Sequence, residues 1–226
     1  MKIVVANINP EFQDLIKDLE KEYPGQVLEI SKKEELTFER LQSFNPDYIF
    51  FTHWSYMIKE DVFENFNCIV FHMTDLPYGR GGSPLQNLIV RGHKITKLSA
   101  IKVSEGIDEG DLFLKKDLSL EGSAREIFSR AAKVASSMVK EIISEDLKAV
   151  PQEGDVTLFS RRKPNESDIS SLKSLDVVND YIRMLDADGY PYAFLETASL
   201  KLQFTEASLI DGKLVAKVEF SVKREG

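Results

Sequence analysis

His72 closes a short apolar run, Cys68-Ile69-Val70-Phe71, and opens a loop that continues Met73-Thr74-Asp75-Leu76-Pro77-Tyr78-Gly79-Arg80-Gly81-Gly82-Ser83-Pro84. That loop is too rich in Gly, Pro and charge to be packing filler. A second loop, Ser104-Glu105-Gly106-Ile107-Asp108-Glu109-Gly110-Asp111, follows the strand-like run Leu98–Val103. In an open α/β sheet the loops at the carboxyl ends of strands meet in one crevice, where ligands bind. An imidazole and a carboxylate delivered there make an acid/base pair. A histidine satisfied by a backbone carbonyl is the alternative, and charge alone does not select Asp108 over Glu105, Glu109 or Asp111.

Other chemistry-bearing residues are few. His53 also follows a strand, and reads as pocket wall or ordinary loop residue, whereas His93 reads as the exposed end of a helix. Trp54, Tyr56, Met57 and Ile58 form an aromatic and apolar group at a strand end. They suit either core packing or a slot for a flat heteroaromatic ligand, since such sites are mostly apolar. Gly79, Gly81 and Gly82 have neither Walker nor dinucleotide spacing, and Asn7-Ile8-Asn9-Pro10 stands where a dinucleotide loop would be. The acidic loop has no second cluster to complete an oxygen cage, so no metal is expected. Arg161-Arg162-Lys163 is the one compact basic cluster, enough for a diphosphate and thin support for a folded RNA.

The elements that must position these residues alternate in type. Lys2–Ala6, Val27–Ile30, Asp47–Thr52, Cys68–Phe71, Leu98–Val103, Leu112–Lys116 and Val156–Phe159 read as strands. Pro10–Tyr23, Thr37–Phe44, Lys59–Asn67 and Pro84–Arg91 read as helices. Ser123-Ala124-Arg125-Glu126 is a capping box ahead of a wide apolar face, predicting a helix to about residue 144. The alternation predicts an α/β fold, a mainly parallel sheet with helices on both faces. Past Arg161 the pattern changes to a connector, a helix over Val177–Leu185 and a turn over Asp186–Tyr192. Strands Leu200–Phe204, Glu206–Ile210 and Leu214–Val222 follow, the last two joined at Asp211-Gly212. The chain therefore divides into a catalytic domain, 1–160, and a connector with a small C-terminal β subdomain, 161–226.

Composition narrows the class. Hydrophobic residues make up 42% of 226 residues, enough for a core, and no apolar run approaches a bilayer span. The single cysteine excludes an internal disulfide framework, and the amino terminus has no signal-peptide layout. These features predict a cytoplasmic protein without membrane attachment. The formal charge of −8 argues against a nucleic-acid partner. Free edges in a small sheet predict a homodimer.

The motifs together resemble the formyltransferases that use 10-formyltetrahydrofolate. His72 with Leu76-Pro77-Tyr78-Gly79-Arg80-Gly81-Gly82-Ser83-Pro84 is similar to the family's His-x(3)-Leu-Pro-x-x-Arg-Gly-x-x-Pro signature. Gly106-Ile107-Asp108-Glu109-Gly110-Asp111 resembles its Gly-Leu-Asp-x-Gly-Asp loop. Arg161-Arg162-Lys163-Pro164 and Tyr190-Pro191-Tyr192-Ala193-Phe194 resemble its connector and a turn of its C-terminal domain. The resemblance implies a Rossmann-like catalytic domain, 10-formyltetrahydrofolate as formyl donor, no metal, and no covalent enzyme intermediate. A primary amine attacks the formyl carbon, His72 stabilises the oxyanion, and Asp108 orients the imidazole and collects a proton. Trp54, Tyr56, Met57, Ile58, Arg80, Gly81, Gly106 and Ile107 are implied to hold the folate. Thr74, Asp75, Tyr78, Gly79, Arg161, Arg162 and Lys163 are implied to meet the acceptor. The family's asparagine, two residues before the histidine, is Val70 here, with Thr74, Asn67 and Gln86 as candidate replacements.

Within this resemblance the small appendage and acidic balance point to the sugar N-formyltransferases. The acceptor expected is a nucleotide-linked amino sugar, with the loop wording closest to enzymes of bacterial nonulosonate (pseudaminic acid) synthesis and a UDP-linked 4-amino-4,6-dideoxy hexose. A methionyl-tRNA formyltransferase-like enzyme is the first alternative. A folate-binding pseudoenzyme, suggested by Val70, is the second.

Overall fold

The computed structural model describes residues 1–223. Its centre is a six-stranded sheet in the order β2-β1-β3-β4-β6-β7. Strands β1 (Ile3–Asn7), β2 (Val27–Ile30), β3 (Tyr48–His53) and β4 (Cys68–His72) are mutually parallel. Strand β6 (Ile95–Lys102) runs against β4, and β7 (Leu112–Ser119) runs against β6. The sheet is therefore mixed, and this changes how the acidic loop reaches the histidine. Lys102 pairs with Ile69 and Ser99 with His72, so the loop after β6 leaves the sheet at the end opposite His72 and folds back across it.

Both faces of the sheet are covered. On one, Phe12, just ahead of α1 (Gln13–Glu22), and Leu15, Ile16 and Leu19 within it join Ile127, Phe128, Ala131, Met138 and Val139 of α5 (Ala124–Ser144). On the other, Leu41 of α2 (Phe38–Phe44) and Val62 of α3 (Glu60–Phe63) pack on Val4, Ile49 and Phe51. The capping box forms as its residues dictate: Ser123 Oγ accepts from Glu126 N–H and the Glu126 carboxylate accepts from Ser123 N–H.

Several predicted bounds move. Pro10–Phe12 is a 3-10 turn rather than part of α1, because Asn9 caps it through Glu11 N–H. The expected helix over 59–67 shrinks to α3, its single turn. Tyr78–Gly81, read as loop, forms a short strand β5 that pairs in parallel with β8 (Thr157–Phe159). Gly81 makes that approach: its φ is +106°, and a Cβ there would strike the Phe159 carbonyl. Helix α4 (Pro84–Val90) follows immediately.

After the connector, α6 (Leu175–Arg183) leads into a three-stranded antiparallel sheet of β9 (Ala193–Glu196), β10 (Leu200–Ile210) and β11 (Lys213–Val222). The two strands expected before the hairpin are one, β10, interrupted by a bulge at Glu206 with φ +54°. Ile182, Met184, Leu185 and Ala193 belong to the same buried cluster as the face covered by α5.

Candidate active site

A cleft of about 870 Å³ opens along the carboxyl edge of the parallel strands. Asn9 reaches it from the end of β1, His53 to Ile58 from the end of β3, and His72 from the end of β4. Residues Ser104–Asp108 reach it from the folded-back acidic loop. The period-two geometry of β4 puts Val70 and His72 on one face, and both line the cleft.

His72 is almost buried and has a defined tautomer. Its Nε2 lies 2.8 Å from the Gly79 carbonyl oxygen, which can only accept, so Nε2 donates. The other nitrogen, Nδ1, faces Asp108 Oδ2 at 3.5 Å. His72 is thus satisfied by a backbone carbonyl on one nitrogen and faces a carboxylate on the other. Asp108 sits at φ +54° and also accepts from Gly81 N–H at 2.9 Å. Among the acidic-loop residues, only Asp108 points its carboxylate at His72. A left-handed backbone at a non-glycine residue marks a place where surrounding contacts hold strain.

Those contacts come from Gln152, a residue that no motif or local pattern singles out. Its Nε2 donates to the Asp108 carbonyl at 2.9 Å and the Gly110 carbonyl at 2.8 Å. Its Oε1 accepts from Arg80 Nη2 at 3.0 Å, and Arg80 also pairs with Glu109 at 3.4 Å. Gly110 closes the same loop, because a Cβ there would collide with the Lys102 carbonyl.

Of the residues expected to hold a folate, Trp54, Tyr56, Met57, Ile58, Gly81, Gly106 and Ile107 line the cleft. Arg80 does not; its guanidinium is spent on Gln152 and Glu109, so it braces the acidic loop. Of the residues expected to meet the acceptor, Arg161 and Arg162 line the cleft. Thr74, Asp75, Tyr78, Gly79 and Lys163 do not. Thr74 is fully buried, with its hydroxyl on the Gly79 carbonyl, and Asp75 pairs outward with Lys115. Tyr78 packs on His93 and Phe159, Gly79 uses its carbonyl on His72, and Lys163 is exposed outside the cleft. Arg162 is partly committed, donating to the Glu166 carbonyl at 2.7 Å and lying over Tyr181.

The candidate replacements for the missing asparagine fare unequally. Thr74 lies outside the cleft and Asn67 precedes β4 at its far end. Gln86 lines the cleft, but its Nε2 donates to the Met184 carbonyl at 3.1 Å.

Further lining residues were not foreseen: Asn9, Phe128, Phe159, Asp188 and Tyr190. Phe128 looked like helix core from its spacing, and Tyr190 belonged to a recognised turn whose position in space no local pattern fixes. His53 is a wall residue, edge-on to Phe128 at 5.1 Å; burial pushes its pKa down to about 4. Among the described residues no group of three His, Cys, Asp or Glu side chains is placed to hold a metal ion. No helix among them is long and apolar enough to cross a membrane.

A mixed, doubly covered sheet thus carries a histidine and an aspartate that meet beside an aromatic slot at the carboxyl edge. The chain belongs to the formyl transferase family: residues 4–143 match the family described as Formyl transferase, and residues 164–221 match the one described as Methionyl-tRNA formyltransferase, C-terminal domain. It is similar to a structure described as methionyl-tRNA formyltransferase from Clostridium thermocellum, with 48% identity, 99% of this chain and 100% of that one covered, and a TM-score of 0.96. The methionyl-tRNA formyltransferase of Thermodesulfovibrio yellowstonii is 24% identical over 201 residues, 85% of this chain and 65% of the relative. The chain thus spans just under two thirds of that curated relative's length. The formyltransferase PseJ of Anoxybacillus kamchatkensis shares the fold, at 19% identity, TM-score 0.58, and 71% and 86% coverage.

Proposed function

We propose that this chain transfers a formyl group from 10-formyltetrahydrofolate to a primary amine. The observation that carries the reading is the His72–Asp108 pair, fixed by Gly79 and Gly81, beside the slot of Trp54, Tyr56, Met57 and Ile58. The slot is mostly apolar and aromatic, the lining that suits a flat heteroaromatic ring system.

The folate supplies an activated formyl group; the rest falls to the chain. With Nε2–H held by Gly79, His72 offers Nδ1–H to a developing oxyanion only when doubly protonated. Asp108 stabilises that cation and stands where it can take the proton the attacking amine must lose. As the new carbon–nitrogen bond forms and the old one breaks, that proton passes on to the departing nitrogen.

For the acceptor, the relatives' names support methionyl-tRNA ahead of the nucleotide-linked amino sugar that the sequence put first. The amino-sugar reading keeps one specific support, the charge of −8, which disfavours a surface that embraces RNA. In PseJ the solved complex holds UDP-4,6-dideoxy-4-formamido-L-AltNAc and tetrahydrofolate. Single-turnover assays with 10-formyltetrahydrofolate decide: formylation of methionyl-tRNA supports the first acceptor, and formylation of a UDP-linked 4-amino sugar the second. Tetrahydrofolate release with neither amine, despite folate binding, would sink the enzyme reading in favour of the pseudoenzyme.

Two organisational readings accompany this one. The division at residues 160 and 161 is kept as a proposal, with the C-terminal unit dependent on the first because Ile182 and Met184 share its core. A homodimer is supported by Val218, Phe220 and Val222, exposed along one face of β11, and light scattering tests it.

A further inference from the structure

The C-terminal sheet has one open edge among the described residues. At its other edge β9 is covered, because Ile169 N–H donates to the Phe194 carbonyl and Asp168 bridges Phe194 in parallel. Strand β11 is the open edge; it is long, holds no proline, and the bulge of the hairpin lies on β10. Lys223 N–H donates to the Ser199 carbonyl, which sets the alternation: odd-numbered residues of β11 bond to β10. Val218, Phe220 and Val222 therefore turn their N–H and C=O groups outward. Their side chains share one face with Leu214 and Ala216. Leu214 and Ala216 pack against the core, whereas Val218, Phe220 and Val222 overhang it, the last two 67% and 75% exposed. An unpaired edge beside an apolar overhang is a surface that another strand completes.

We propose that the completing strand is β11 of a second copy, antiparallel about a two-fold axis at Val218. The proposal rests on the homodimer reading and deepens it. A two-fold pairing keeps the apolar side chains on one face only if residues of equal parity lie opposite each other. Among such registers, centring on Lys217 or Glu219 sets like charges face to face, and centring on Phe220 sets Lys217 against Lys223. Centring on Ala216 runs Phe220 and Val222 past the end of the other strand. Centring on Val218 sets Lys217 against Glu219 of the second copy, twice by symmetry. It also puts Phe220 opposite Ala216 and Val222 opposite Leu214, so each overhanging side chain meets a position that packs on the other copy's core. Glu219 has no ion pair among the described residues, and the contact of Lys217 with Glu206 at 3.3 Å is exposed and of little weight. At the ends Lys213 faces Lys223, whose charge is met by Glu196 at 2.7 Å.

The test is sedimentation equilibrium of the full chain over a dilution series, with Lys217→Glu and Glu219→Lys run singly and as an equimolar mixture. Both side chains are exposed, so thermal unfolding should show the fold intact in each variant. Alone, each variant sets like charges opposite each other twice, and its dimer should be at least about tenfold weaker than that of wild type. Mixed, the two variants restore both ion pairs between unlike chains and should associate as wild type does. A change confined to one chain cannot produce that complementation. A wild-type chain that stays monomeric throughout overturns the homodimer reading and the β11 pairing together. Dimers of unchanged affinity in both variants, or weakened variants whose mixture stays monomeric, overturn the β11 pairing while the homodimer reading stands.

Discussion

Asp108→Asn isolates the charge in the proposed mechanism. The amide keeps an oxygen to accept from Gly81 N–H, so the loop held by Gln152 stays in place. What goes is a full negative charge 3.5 Å from His72 Nδ1, with both side chains less than 15% exposed. At that distance an imidazolium and a carboxylate attract by about 5 kcal/mol in an effective dielectric of about 20. Water at the cleft mouth reduces this to about half, about 2.5 kcal/mol, so the expected loss in kcat is about 50–100-fold. The assay is single-turnover formyl transfer with the acceptor found active, alongside folate affinity and thermal unfolding. Folate affinity should stay within about twofold, and Tm within a few degrees. A kcat within tenfold of wild type would refute the reasoning, because the imidazole would then be working without its counter-charge.

Three further outcomes follow from the same geometry. Val70→Asn puts an amide on the cleft face of β4, and it should raise kcat several-fold, towards the factor of about 10² associated with an oxyanion donor; an unchanged rate means a donor already exists elsewhere in the cleft. Stability should fall as pH drops from 6.5 to about 4, because an unfolded His53 takes a proton there while the folded one resists. The loss is at most about 3 kcal/mol, less for the part of the ring facing the cleft, and His53→Leu should flatten that part of a denaturant-midpoint profile. Gly110→Ala should cost about 1–3 kcal/mol by overpacking against the Lys102 carbonyl, seen as a lower Tm together with lost transfer; an unchanged Tm would show that the loop relaxes freely.

Much of the fold was legible along the chain because its determinants are local. The capping box, the apolar stripe of α5 and the buried runs of β1, β3 and β4 each carry their own period. The pairing of His72 with Asp108 could be suspected from two loops of the right chemistry, and the resemblance selected Asp108 from among its acidic neighbours. Direction was not legible. Nothing in Leu98–Val103 says that β6 runs against β4, since side-chain alternation is the same in either sense. That reversal sends the acidic loop back over the sheet and makes Gln152 and Arg80 its braces. By itself the sequence determined residue types, helix starts and the two loops that meet. Tertiary structure alone decided which nitrogen of His72 faces Asp108, through the Gly79 carbonyl, and the second wall of the cleft, through Tyr190, a residue 137 positions from His53. Both depend on contacts between segments far apart in the chain, and local propensity has no term for those.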